Sequence, residues 1–280
     1  MPLPRTAPMR LILLLLCLQS GVLSAAPSVV ASIVPLQELT AALMSGIAEP
    51  ETIMKDHASI HHFALRPSHM RLLQQADLVV WIDRNFEAGF NRLPETLPAS
   101  TRQLELLPLL AIDPGQGHIW YSPRRLTQAA ELITAALQEL DPANRDAYRH
   151  NRDALLAAIS RWRSQARLRL QSLSIAYVTD HAFLDHFEQD MGLAAIATLH
   201  DQHDSHGGLH DLNRVEELLR QNPASCLLTV ETPAGPLARR LAQKYRLKIV
   251  NLAAMQLAPQ NPVKVLQRLD RLVAGLVSCR

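Results

Sequence analysis

Residues 142–173 read PANRDAYRHNRDALLAAISRWRSQARLRLQSL, with no glycine and no proline after the first residue. Proline is tolerated in the first turn of a helix, and the Asp141 before it is a residue type suited to an N-cap. The pattern predicts one uninterrupted helix from Pro142 to Leu173, preceded by a helix that starts at Pro123 and ends near Leu140. At roughly 1.5 Å per residue the longer helix reaches about 45 Å, the height of a whole domain. Such an element acts as a stiff strut rather than a hinge.

Short apolar, β-branched runs alternate with helical patterns on both sides of the strut. Before it, runs at Ser28–Ile33, Glu51–Lys55 and Asp77–Ile82 are followed by helical segments at Leu36–Met44, Pro67–Gln75 and Phe86–Leu93. After it, runs at Ile175–Thr179, Ala194–Thr198, Ser225–Val230 and Leu247–Leu252 are separated by helical segments at Leu184–Met191, Asp211–Gln221 and Pro236–Tyr245. A last helix, Pro262–Val277, should pack on the second group. This rhythm is that of parallel βα units. The expected fold is α/β: two lobes of parallel βα units joined by a long rigid connecting helix, with the ligand site in the cleft between them. The boundaries are 1–25 for an export signal, 26–141 for the first lobe, 142–173 for the connecting helix and 174–280 for the second lobe.

The export signal follows from Arg5 and Arg10 ahead of the apolar run Leu11–Leu16 and a small-residue site ending at Ala25. That run is well short of the roughly 20 residues needed to cross a bilayer. A lipid anchor on Cys17 is disfavoured because Leu16 occupies the place of a small residue. The expected location is periplasmic. Removing Arg5 and Arg10 from 28 basic residues leaves 26 against 26 acidic ones, a neutral chain with no basic patch for nucleic acid. Two cysteines remain, Cys226 and Cys279, in a compartment where disulfides persist. Pairing is the expected state; the alternative is two free thiols, which titration of the unfolded, unreduced chain would count.

In open α/β sheets ligands bind beyond the carboxyl ends of the strands. Three histidines stand there: His61 after the run at Glu51, His118 at the end of the first lobe, and His181 after Thr179-Asp180. Each alone is unremarkable, but two from one lobe and one from the other would converge on the cleft. His69, His150 and His186 fall within helical patterns and read as ordinary surface or half-buried residues. His57 and His62 flank His61 and are secondary candidates. Trp81 and Trp120 read as packing groups around the cleft.

The segments around these histidines resemble the cluster A-I metal-binding proteins of ABC transporters, and most closely their zinc-specific, high-affinity members. Ala58-Ser59-Ile60-His61-His62-Phe63-Ala64-Leu65-Arg66-Pro67-Ser68 matches the first ligand motif, and His118-Ile119-Trp120-Tyr121-Ser122-Pro123 the second. His181-Ala182-Phe183-Leu184-Asp185-His186-Phe187 aligns more loosely on the third. The resemblance implies a monomeric, non-enzymatic protein that binds Zn²⁺ through His61, His118 and His181 and passes it to an ABC permease. Alternatives are a periplasmic zinc chaperone serving another protein, a manganese-binding homologue, or a zinc hydrolase.

Departures from the family pattern bear on the fourth ligand. Where the family has an Asp in Leu-Asp-Pro-Leu, this chain has Leu252-Ala253-Ala254-Met255, and a Glu found in some relatives is Ile60 here. Glu231, after the run ending at Val230, corresponds to an acidic residue the family keeps nearby. A histidine tract, with His200, His203, His206 and His210, follows the run at Ala194 and is a second source of auxiliary ligands. It could instead recruit metal to the cleft or be a solvated loop; deletion of residues 201–207 with unchanged zinc affinity, stoichiometry and transfer rate would mark it as the last. Imidazole donors suit zinc and other late transition metals, whereas manganese prefers oxygen. Coordination needs neutral imidazole and the free side chain titrates near pH 6.5, so metal affinity should fall steeply below about pH 6. A titration series flat between about pH 7.5 and 5 would contradict histidine ligation.

Overall fold

The structure, a computed structural model, describes residues 25–54, 63–200, 209–253, 255 and 263–280. Apart from Ala25, the expected export signal lies outside these residues. The first lobe runs β1 (Val29–Ile33), α1 (Val34–Leu43), β2 (Glu51–Met54), α2 (Pro67–Gln74), β3 (Leu78–Trp81), α3 (Leu93–Thr96), β4 (Arg102–Glu105) and α4 (Leu106–Leu109). Two long helices follow, α5 (Pro123–Leu140) and α6 (Arg145–Gln171). The second lobe runs β5 (Tyr177–His181), α7 (Asp185–Met191), β6 (Ala197–His200), α8 (Leu209–Gln221), β7 (Cys226–Thr229), α9 (Pro236–Tyr245), β8 (Lys248–Asn251) and α10 (Lys264–Val277).

Each lobe holds a four-stranded, wholly parallel sheet, ordered β2-β1-β3-β4 in the first and β6-β5-β7-β8 in the second. The central strands are buried from end to end, VVASI in β1 and LVVW in β3, as expected where helices cover both faces. In both sheets the chain order reverses beside the first strand. The carboxyl ends of β1 and β3, and of β5 and β7, therefore flank the two crevices where such sheets hold ligands.

Several expectations need correction. The segment Phe86–Leu93 is not a helix: it holds only a 3₁₀ turn at Ala88–Phe90, with the single-turn α3 beyond it. Gly89 lies so close to the Phe63 carbonyl that a Cβ there would stand 2.5 Å from the oxygen, and Pro94 supplies no N–H to continue a helix. Strand β4 has no counterpart in the sequence reading, because at the sheet edge Arg102 and Glu105 keep its pattern polar. In the second lobe β5 and β6 end about two residues later than expected, which makes His181 and His200 the last residues of their strands.

The strut also starts differently. Pro142–Asn144 forms a 3₁₀ turn, and α6 begins at Arg145. Asp141 caps no backbone amide; its Oδ2 accepts from the Asn144 side chain at 2.8 Å and the Tyr148 hydroxyl at 3.0 Å. Further along α6, the Asn151 side chain donates to the carbonyls of Leu43 and Ser45, two orphan acceptors at the end of α1. Trp162 on α6 donates its Nε1–H to Asp270 of α10 at 2.7 Å, and Arg268 of α10 forks onto Glu38 of α1. The last helix thus binds both lobes rather than the second alone. One apolar core runs unbroken from β1 through α5 and α6 to α10, and a smaller one lies on the other side of the second sheet.

One buried acid in the first lobe gives a pH-dependent expectation. Glu87, following β3, accepts the Ile82 amide at 2.6 Å and is wholly removed from water; burial pushes its pKa from 4.5 up to about 7. The folded chain then keeps a proton that the unfolded chain releases. This group's contribution to stability is therefore greatest below about pH 4.5, declines through the interval to about pH 7 and is level above it. The full linkage is on the order of 3 kcal/mol. Glu87→Gln should gain about 3 kcal/mol over the parent between about pH 4.5 and 8, because the amide does not titrate and its weaker acceptance of the Ile82 bond shifts both values equally. Denaturant unfolding of both proteins at the two pH values checks this; equal differences at both would contradict it.

Candidate metal centre

His181 is set by β5, whose preceding residues Tyr177, Val178, Thr179 and Asp180 are all buried and carry it to the carboxyl edge of the second sheet. The Asp180 carboxylate, 3% exposed, faces the His181 Nδ1 at 2.9 Å and accepts the His181 backbone amide at 2.8 Å. Its other oxygen accepts the hydroxyl of Thr229, the last residue of the neighbouring β7. A ring that donates Nδ1–H to a carboxylate presents its Nε2 lone pair outward, the tautomer a metal requires.

His118 comes from the first lobe, between a 3₁₀ turn at Pro114–Gln116 and another at Ile119–Tyr121. Gly117 is needed before it for close approach: a Cβ there would fall 2.2 Å from the Phe86 ring. The His118 ring is met edge-on by Phe86 at 5.0 Å and lies 5.1 Å from Trp120, so this pair forms an apolar wall. Phe183 closes the other side, 5.0 Å from His181 and 6.4 Å from His118. Across the lobe boundary the His118 and His181 Nε2 atoms stand 3.4 Å apart. Two nitrogens bound to one zinc at about 2.05 Å with a tetrahedral angle are separated by about 3.3 Å. The pair thus has the spacing of one edge of a zinc tetrahedron.

The remaining candidates are distributed as follows. His61, His57 and His62 lie outside the described residues, as do His203, His206 and Ala254; of His210 only the backbone, in α8, is described. His200 ends β6 in register with His181, so both side chains leave the sheet on one face. Its buried Nδ1 has no hydrogen-bond partner among the described residues. Glu231 follows β7 and is exposed, its amide donating to the Thr229 hydroxyl at 3.0 Å. Among the described residues no three His, Cys, Asp or Glu side chains converge closely enough to hold an ion, so these residues supply a pair.

His186 is not an ordinary half-buried residue. It is 3% exposed, its Nε2 donates to the Gln116 carbonyl at 2.8 Å, and burial holds its pKa below the usual histidine value. Asp180 was visible in the sequence only as the acid before a candidate ligand. Nothing in the sequence marked Asp190, which is buried against the other lobe.

The family described as "Zinc-uptake complex component A periplasmic" matches residues 29–275. The high-affinity zinc uptake system protein ZnuA of Yersinia pestis is 27% identical over 243 residues, 72% of this chain and 75% of that protein. The iron-binding protein YfeA of the same organism is 24% identical over 227 residues, 77% and 73% of the two chains. A crystal structure of ZnuA shares the fold with a TM-score of 0.76 at 19% identity, covering 91% of this chain and 99% of that one. With two parallel-sheet lobes, a rigid connecting helix and a histidine pair between the lobes, the chain belongs to the family of periplasmic metal-binding proteins that form component A of zinc-uptake complexes.

Proposed function

We propose that this protein binds Zn²⁺ in the periplasm through His61, His118 and His181 and delivers it to the permease of an ABC transporter. The observation that carries the reading is the 3.4 Å separation of the His118 and His181 Nε2 atoms, contributed by different lobes. The donor chemistry supports zinc: imidazole suits it, and the segment at Leu252-Ala253 lacks the carboxylate that an oxygen-preferring ion would use. His200, beside His181 on the sheet edge, is the strongest candidate for a fourth donor, with Glu231 the alternative.

Support for binding rather than hydrolysis comes from family membership and from the close aromatic packing of Phe86, Trp120 and Phe183 around the pair. Similarity to an iron-binding protein makes metal competition the deciding experiment. The mature protein, exposed to equimolar zinc, manganese and ferrous iron under anaerobic conditions, is desalted and its bound metal counted. One tightly held zinc per chain is expected; predominant manganese or iron would overturn the zinc assignment.

A further inference from the structure

We propose that His186 and Asp190, one turn apart on α7 of the second lobe, are positioning residues that fix His118 of the first lobe for metal. The inference rests on His118 being a ligand and extends that reading to residues that touch no metal. Residues four apart share one face of a helix, and this face meets the segment Gln116–Arg124 at both ends. At one end the His186 Nε2–H donates to the Gln116 carbonyl at 2.8 Å, two residues before His118. At the other, Asp190 Oδ2 accepts the Ser122 hydroxyl at 2.6 Å and the Arg124 amide at 3.0 Å, while Oδ1 pairs with Arg124 Nε at 3.2 Å. Ser122 in turn caps α5 by accepting the Arg125 amide.

Between these two anchors Tyr121 packs edge-on against Phe183, 5.7 Å away, and Gly117 is pressed onto Phe86 from within its own lobe. The loop that carries His118 is therefore gripped from both lobes at once. A site whose donors come from two bodies binds tightly only if their relative placement is set before the ion arrives. Here the donors already stand within about 0.1 Å of the tetrahedral edge length. The buried contacts of α7 account for that placement, and their partners on the loop side include main-chain atoms that no sequence motif reveals.

The test compares zinc affinity, the visible spectrum of the cobalt-substituted protein and the melting temperature of the metal-free protein. His186→Phe removes the donor and keeps a ring; His186→Gln places an amide N–H near the same point. His186→Phe is expected to weaken zinc binding about tenfold and to change the cobalt spectrum, whereas His186→Gln stays within about threefold of the parent with the parent spectrum. Asp190→Asn, which keeps its shape and loses the ion pair with Arg124, should show an affinity loss of about threefold to tenfold and stands in should His186→Phe fail to fold. Parent-like affinity and spectra in His186→Phe and Asp190→Asn overturn the proposal, as does a His186→Gln protein no better than His186→Phe. His118→Ala is the control: if it too binds zinc like the parent, the ligand assignment itself has failed; if it alone loses zinc, only the positioning role has.

Discussion

Zinc affinity is expected to fall at least about a hundredfold when either His118 or His181 is changed to alanine. Zinc bound by four side-chain donors in small proteins has an apparent free energy on the order of 10–16 kcal/mol, so one donor accounts for about 3 kcal/mol, equivalent to two powers of ten. A single lost donor leaves a coordination position to water, which keeps some binding but loses the preset geometry. The two variants should be similar in size, because on the proposed assignment each removes one of two nitrogens that face each other at 3.4 Å, one from each lobe. Asp180→Asn should cost less, about tenfold, since it alters the partner of His181 Nδ1 without removing a ligand. Competition titration with a chelator of known affinity measures all three. Binding by His118→Ala within about threefold of the parent would contradict the assignment.

A comparably large effect, on stability instead of binding, is expected from the disulfide. Cys226, the first residue of β7, is bonded to Cys279 just beyond α10, closing a loop with a sequence separation of 53. In the chain-entropy description a loop of that length stabilises the fold by about 4 kcal/mol through restriction of the unfolded chain. The bond pins α10, whose buried face of Val265, Leu266, Leu269, Leu272, Val273 and Leu276 joins both lobes. The double variant Cys226→Ala, Cys279→Ala should lose about 4 kcal/mol or more of unfolding free energy in urea. Its metal affinity, while folded, should be unchanged, because Cys226 starts the strand at whose opposite end Thr229 holds Asp180. A loss under about 1 kcal/mol would contradict this role.

What the sequence shows and hides here has physical reasons. Burial on both faces makes the four central strands apolar, and the edge strands β2, β6 and β8 also carry apolar runs, so seven of the eight strands among the described residues were legible. Edge strand β4 was not, because its sequence, Arg102-Gln103-Leu104-Glu105, buries only Leu104 and carries no apolar run. The cysteine pairing followed from compartment and number. Phe86–Leu93 looked helical by its apolar spacing, but tertiary contact at Gly89 overrode that preference. At the site, His181 was found from its strand-end position and motif and His118 from its motif, since it lies between two 3₁₀ turns rather than at a strand end, and the structure brings these two together. His186 was misread because helical periodicity cannot tell a residue facing solvent from one facing another lobe. Asp190 and Gln116 act through contacts some 66–70 residues apart in sequence, which no local pattern encodes.

The most direct measurement is an anomalous-diffraction structure of the zinc-loaded mature protein. One zinc is expected in the crevice between the lobes, about 2.0–2.1 Å from the Nε2 atoms of both His118 and His181, with His61 completing a three-imidazole set. Zinc bound only by the tract from His200 to His210, or coordinated by histidine from a single lobe, would contradict it.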